Sequence, residues 1–304
     1  MGNPFICRHR QSIARLYLED CIGGMERHLQ PGSVDVVVTS PPYNIGSRYG
    51  QYDDTLPRAQ YLDWLESWGQ AVSQVLAEQG SVFLNIGAKP SDPWGPMEVV
   101  FRLRQYFVLQ NVIHWIKSIA IDREEVGRET SMAGNLAVGH YKPINSRRFV
   151  NDCHEYIFHL TKTGRVELDR LGVGVEYQDK SNQHRWGGGV RDRRCRGNTW
   201  FVPYKTIRSR QQERPHPATF PVKIPRMCIQ LHGRERTRLV LDPFLGLGHT
   251  ALACRELGVD FAGFEIDPDY FAEAGRLLQS HEPGRRRRAA KNPPSLFDGP
   301  SPSS

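Results

Sequence analysis

The stretch Asp242-Pro243-Phe244-Leu245-Gly246-Leu247-Gly248-His249-Thr250-Ala251 constrains the fold of this chain more than any other. It follows a short run with strand character, Thr237 to Leu241, and opens a helical pattern that Gly258 closes. Strand, glycine turn and helix form the first half of a crossover unit. A second strand, Val259 to Glu265, and a helix, Pro268 to Gln279, complete it. Glycines let the main chain approach a ligand closely, and an acid at the end of the next strand can hold ribose hydroxyls. Glu265 stands 19 residues beyond Gly246. The unit therefore describes an adenosine pocket over Asp242, Phe244, Gly246, Gly248 and Glu265, with Asp242 open to a second reading as a helix cap.

Only one clear helix follows Glu265, so the remaining strands of the sheet must come from the N-terminal half. One mononucleotide half favours an adenosine monomer, such as S-adenosylmethionine, over a dinucleotide. Val34 to Val38 is a β-branched run stopped by prolines, Ser81 to Ile86 and Val108 to Trp115 read as further strands, and His154 to Thr161 as another. Between them, Tyr61 to Glu78 carries apolar residues at helical spacing and ends at Gly80, and Met97 to Gln105 is a shorter helix. Strands alternating with helices imply an α/β fold with a mostly parallel sheet. Residues 119–148 lack periodicity and read as a long excursion, a length uncommon without a function. Hydrophobic content of 39% with 24% charged residues excludes a wholly disordered chain.

Thr39-Ser40-Pro41-Pro42-Tyr43 lies at the carboxyl end of the Val34 strand, where open α/β sheets place ligands. Prolines offer carbonyls without competing N–H groups. The Ser40 hydroxyl and the Pro41 carbonyl can accept hydrogen bonds from an exocyclic amino group, and Tyr43 offers a ring for stacking. An aromatic amine is a poor nucleophile because its lone pair is delocalised, and two acceptors can hold it pyramidal, facing an electrophile.

Charge is uneven. Lys180 to Arg214 carries a net +8 and the tail from His281 a net +3, out of +7 for the whole chain. A basic segment on a mildly acidic body suits a polyanion. Arg185, Arg191, Arg193, Arg194, Arg196, Arg208 and Arg210 are the candidates for phosphate or guanine contacts. The Arg-, Pro- and Ser-rich tail, 281–304, reads as disordered. No apolar run reaches the roughly 20 residues that span a bilayer, and the start lacks a signal-peptide pattern, so a soluble cytoplasmic protein is expected. The six scattered cysteines form no C-x-x-C pair, and no metal site is expected.

The two motifs together resemble the DNA amino-methyltransferases that use S-adenosylmethionine, in which a D/N/S-P-P-Y/F loop meets a D-P-F-x-G-x-G-x-T turn. Catalytic motif first, basic region next and cofactor motif last is similar to the beta class of that family, over residues 15–280. The resemblance implies a Rossmann-like, mostly parallel sheet with helices on both faces and a circularly permuted motif order. It divides the chain into a catalytic half (1–164), a target-recognition lobe (165–213), a cofactor half (214–280) and the tail. It also implies that Asp20 lies near the cofactor's adenine, that His216, Ala218 and Phe220 of the HPATFP segment line its methionine end, and that Thr250 completes the cofactor turn. Tyr156 and Phe158 would pack beside the target base, although as alternating strand residues they would equally be core. Ser40 in the first motif position resembles the N4-cytosine subgroup, with N6-adenine methylation as the alternative and a non-catalytic DNA-binding protein as the different class. Double-stranded DNA is the implied partner, with a cognate restriction endonuclease and a homodimer as further candidates.

Overall fold

The computed structural model describes residues 3–47, 50–126, 132–139, 144–177, 180, 192–203 and 220–280. A hairpin of β1 (Phe5–His9) and β2 (Ser12–Leu18) leads into α1 (Cys21–His28), β3 (Val34–Thr39), α2 (Arg58–Val75), β4 (Leu76–Ile86), α3 (Gly95–Leu103) and β5 (Val108–Ile116). A separate ribbon of β6 (Ser118–Ile121) and β7 (Leu136–Gly139) precedes β8 (His154–Thr161) and β9 (Thr199–Phe201). The chain then forms α4 (Lys223–His232), β10 (Leu239–Asp242), α5 (His249–Leu257), β11 (Asp260–Glu265) and α6 (Pro268–Ser280).

Nine strands make one sheet in the order β1-β2-β11-β10-β3-β4-β8-β5-β9. The run from β2 to β4 is parallel throughout, and β8 enters antiparallel between β4 and β5. The fold is thus α/β and Rossmann-like. Alternation along the strands divides the core into two layers. Val36 and Val38 of β3 face one side with Ile224, Cys228 and Ala251 of α4 and α5, whereas Val37 faces the other with Met25, Leu65, Trp68 and Val99 of α1, α2 and α3. Helices on both faces bury most of the central strands, which explains their largely aliphatic composition.

Three expectations change. The α2 helix stops at Val75, not at Gly80. Leu76 is extended and pairs with Val34, and a register shift follows before Ser81 pairs with Val36. Gly80 lies in that irregular stretch because a Cβ there would come within 2.6 Å of the Leu76 side chain. The excursion over 119–148 contains the β6–β7 ribbon and a 3-10 turn, Arg123–Val126. Finally, Thr199–Phe201, within the expected recognition lobe, joins the main sheet as an edge strand parallel to β5. Trp200 there is fully buried, and the Trp115 indole N–H donates to the Val202 carbonyl at 2.8 Å.

What places the site is the meeting of β3 and β10. From β3 the chain crosses to β4 on one side, and from β10 it crosses to β11 on the other. Crossovers that depart in opposite directions leave a crevice beyond the carboxyl ends of the two strands.

Candidate active site

Both motifs open onto that crevice, about 980 Å³ with its solvent-facing mouth included. The glycine turn is built as a cradle. Leu245 N–H donates to Phe264 O at 2.9 Å and Gly248 N–H to Leu245 O at 2.8 Å, which folds residues 245–248 over the end of β11. Gly248 is left-handed, φ +77°, at the N-cap of α5, and a Cβ there would sit 3.1 Å from the Ala274 Cβ. Glycine relieves both strains.

Glu265, at the end of β11, accepts from the N–H groups of Gly246 (2.8 Å), Asp267 (2.9 Å) and Ile266 (3.0 Å). Burial raises its carboxyl above the ordinary range, and those three bonds pull it back. Asp242 is 2% exposed and acts as a clasp. It accepts from the hydroxyls of Thr39 and Thr250, both at 2.7 Å, and from Phe244 N–H at 3.1 Å. Burial pushes its carboxyl up to about 7, against the pull of those bonds. Asp20 is the N-cap of α1, accepting from Ile22 N–H at 2.9 Å, and also lines the crevice.

The Ser40-Pro41-Pro42-Tyr43 loop leaves β3 after Thr39. Tyr61 of α2 donates to the Pro42 carbonyl at 2.8 Å, so that carbonyl is already in use. The next residues are clamped by buried Asp54, which accepts from the N–H groups of Asn44 and Ser47 at 2.8 Å and of Ile45 at 3.1 Å. Ser40 and Pro42 line the crevice together with Asp20, Phe220, Asp242, Phe244, Gly246 and Glu265. Pro41 and Thr250 are buried, and Gly248 lies behind the turn; none of the three is a lining residue. Tyr43 also stands outside the lining, its hydroxyl bonded to Ser40 Oγ at 2.8 Å. Phe220 is held over the glycine turn where its carbonyl meets His249 Nδ1 at 2.6 Å.

The family profile for DNA methylases of the N6/N4 type matches residues 34–276, from β3 into α6. The chain belongs to that family. It is 28% identical to the type II methyltransferase M.ScaI of Streptomyces caespitosus, over 91% of this chain and 84% of that protein. It is 25% identical to M.HpaI of Haemophilus parainfluenzae, over 84% and 71%. Among solved structures, the PvuII DNA methyltransferase (cytosine-N4-specific) superposes with a TM-score of 0.63 at 20% identity, covering 89% of this chain and 87% of that one. A DNA modification methylase of Thermus thermophilus, complexed with S-adenosyl-L-methionine, gives 0.53 at 21%, over 86% and 92%.

As an N6/N4 DNA methylase the protein acts on an exocyclic amino group, and three residues that sequence reasoning missed stand around Ser40 and Tyr43. Asn85 is the penultimate residue of β4, Lys117 follows β5 and Glu155 is the second residue of β8, so the strand order brings them beside the Ser40–Tyr43 loop. Nothing local marks them. Crevice residues missed from the sequence include Trp64, Gln51, Tyr52 and Tyr270. Tyr156 and Phe158 stack at 5.3 Å, with Phe158 fully buried in the core and Tyr156 half-buried against His114.

Of the basic candidates, Arg193 and Arg194 are exposed and Arg196 is half-buried. Arg193 and Arg196 spend donors on the Gly174 and Val173 carbonyls, at 2.9 and 3.0 Å. With Lys223 and Arg226 of α4 they line a second recess, which shares no residue with the crevice. Burial and then the Arg196 and Arg226 charges push the Lys223 ammonium down from its ordinary range. Arg185, Arg191, Arg208, Arg210, His216, Ala218 and the 281–304 tail lie outside the described residues.

Proposed function

We propose that this methylase transfers a methyl group from S-adenosylmethionine to N4 of cytosine in duplex DNA. The observation that carries the cofactor is the charge of the crevice. Glu19, Asp20, Asp242, Glu265 and Asp267 line it, and no Lys or Arg does among the described residues. Such a lining repels the pyrophosphate of a dinucleotide and suits a ligand bearing a sulfonium and an ammonium. Glu265 offers carboxylate oxygens to ribose hydroxyls, and Trp64, Phe244 and Tyr270 supply apolar and aromatic wall. When bound, the cofactor supplies an electrophilic methyl group.

The chain's own residues do the rest. The target base must leave the stack for its amino group to reach the crevice. Ser40 Oγ, which lines the crevice, accepts from the amine and holds its lone pair toward the cofactor end, so that orientation supplies much of the rate. A neutral serine at this position suits cytosine, whose ring itself accommodates charge as the amine attacks. The basic surface around Arg193, Arg194 and Arg196 belongs to DNA contact in this reading, and residues 165–213 to target recognition. A cytoplasmic setting and an accompanying endonuclease belong to it as well; no helix among the described residues is long and apolar enough to cross a membrane.

The test is mass spectrometry of nucleosides from DNA incubated with the purified protein and S-adenosylmethionine. N4-methylcytosine is expected; N6-methyladenine replaces cytosine by adenine as the target, and an unmodified digest overturns the reading.

A further inference from the structure

Resting on the amino-methyltransferase reading, we infer that Glu155 is the positioning residue that keeps the Ser40 oxygen an acceptor toward the target amine. Three donors converge on its carboxylate. The Tyr43 hydroxyl donates to Oε2 at 2.9 Å, Asn85 Nδ2 donates to Oε2 at 2.7 Å, and Lys117 Nζ donates to Oε1 at 3.0 Å. A carboxylate can only accept, so the one hydroxyl hydrogen of Tyr43 is committed to it.

The polarity of the next contact follows. Ser40 Oγ and Tyr43 Oη are 2.8 Å apart, and Tyr43 has no hydrogen left to give. Ser40 must therefore be the donor. Asn85 Nδ2 also donates to Tyr43 Oη, at 2.7 Å, which uses the second phenol lone pair. The same nitrogen is 3.5 Å from Ser40 Oγ, too far to occupy it. Ser40 is thus left with its lone pairs facing outward, the form that binds an amino group and rejects a carbonyl or ring acceptor. Without the carboxylate the chain could reverse, with Tyr43 donating to Ser40 and Ser40 turning its hydrogen toward the base.

Glu155 reaches this place only through the sheet. It is the second residue of β8, directly between β4, which carries Asn85, and β5, which ends beside Lys117. Glu155 and Lys117 are 12% and 15% exposed, so the pair is shielded and geometrically fixed. Glutamine cannot replace it neutrally. Its amide nitrogen would face either the Lys117 ammonium or the two donors at Oε2.

Full-length Glu155→Gln, Glu155→Asp, Tyr43→Phe and the Glu155→Gln/Tyr43→Phe double variant should be compared in single-turnover methyl transfer to DNA, with S-adenosylmethionine affinity measured by calorimetry. Glu155→Gln and Tyr43→Phe should each slow transfer by about 100-fold, the cost of misdirecting one positioning contact. The double variant should be no slower than the worse single one, Glu155→Asp should recover part of the rate, and cofactor affinity should stay within about twofold. Tyr43→Phe decides the matter where Glu155→Gln fails to fold, because it removes the phenol oxygen that takes the Ser40 hydrogen and leaves the Glu155–Lys117 ion pair. Native transfer rates in folded Tyr43→Phe, additive losses in the double variant, or loss of cofactor affinity in Glu155→Gln would overturn the inference. A native protein that transfers no methyl group to DNA would instead remove the reading on which it rests.

Discussion

Thr39 donates its hydroxyl to Asp242 Oδ1 at 2.7 Å across a sequence separation of 203 residues. That bond ties the strand that delivers the catalytic loop to the strand that delivers the glycine turn. Thr250 closes the other oxygen of the same carboxylate, so the two loops share one buried anchor.

The anchor has a pH signature. Asp242 ionises at 3.8 when free and at about 7 in the fold, because burial disfavours its charge. Protonation is thus favoured by folding, and the contribution is full below about pH 4 and lost as pH rises toward 7. Asp242→Asn should cancel this loss. Urea unfolding at pH 4.5 and 7.5 should show the variant gaining on the native protein at the higher pH, and a constant offset would contradict the assignment.

A buried chain joining β4, β8 and α4 runs the other way. Ser81 Oγ lies 2.9 Å from both His159 Nε2 and His232 Nδ1. Burial, helped by the His232 charge, holds His159 down to about 3, and burial with the Arg236 charge holds His232 down to about 4. Both are neutral in the fold, while the unfolded chain takes up protons near 6.5. Their contribution is full above that pH and is lost as pH falls toward 4. His232→Gln, if folded at pH 7.5, should flatten the acid side of the stability curve. Ser81→Ala should cost about 1 to 3 kcal/mol at neutral pH by stranding ring nitrogens.

Cofactor affinity should depend on Glu265. If Glu265 holds the ribose, Glu265→Ala removes a charge-assisted partner as well as freeing the Gly246 N–H, and calorimetry should record a loss of roughly 1.5 to 3 kcal/mol in S-adenosylmethionine binding. Unchanged affinity in a folded variant would take Glu265 out of the site.

Ser40→Ala should behave differently. It should cut turnover strongly while leaving cofactor affinity nearly intact, because the lost contact belongs to the reacting complex. Parallel losses in both quantities would mean that Ser40 shapes the crevice rather than the amine.

The second recess offers a salt test. If Arg196 and Lys223 meet DNA phosphates, replacing both by Ala should lower the slope of log affinity against log salt by about 2. An unchanged slope would leave the recess outside the DNA footprint.

The parts legible in the sequence are those whose physical demand is local. A β-branched run ended by two prolines reads directly as β3 and its loop, and a glycine turn between strand and helix reads as a ligand cradle. Glu265 was legible because its distance from Gly246 is set by one helix and one strand. Asp20 is expected beside the cofactor only by resemblance, and its capping of α1 is shown by the fold. Pattern is also what misled: apolar spacing in α2 continues past Val75, but Leu76 is taken by pairing with Val34.

What only the tertiary structure decided is which strands are neighbours. Periodicity tells which face a residue takes, not the order or direction of strands, and HEYIFHLT reads the same whether it runs parallel or antiparallel. Placing β8 between β4 and β5 puts Glu155 against Tyr43, 112 residues away, and against Asn85, 70 residues away. The hydrogen-bond polarity at Ser40 comes from that placement. Chemistry carried by a motif is written in contiguous residues, whereas the groups that orient it are recruited across the sheet by packing that no short window of sequence contains.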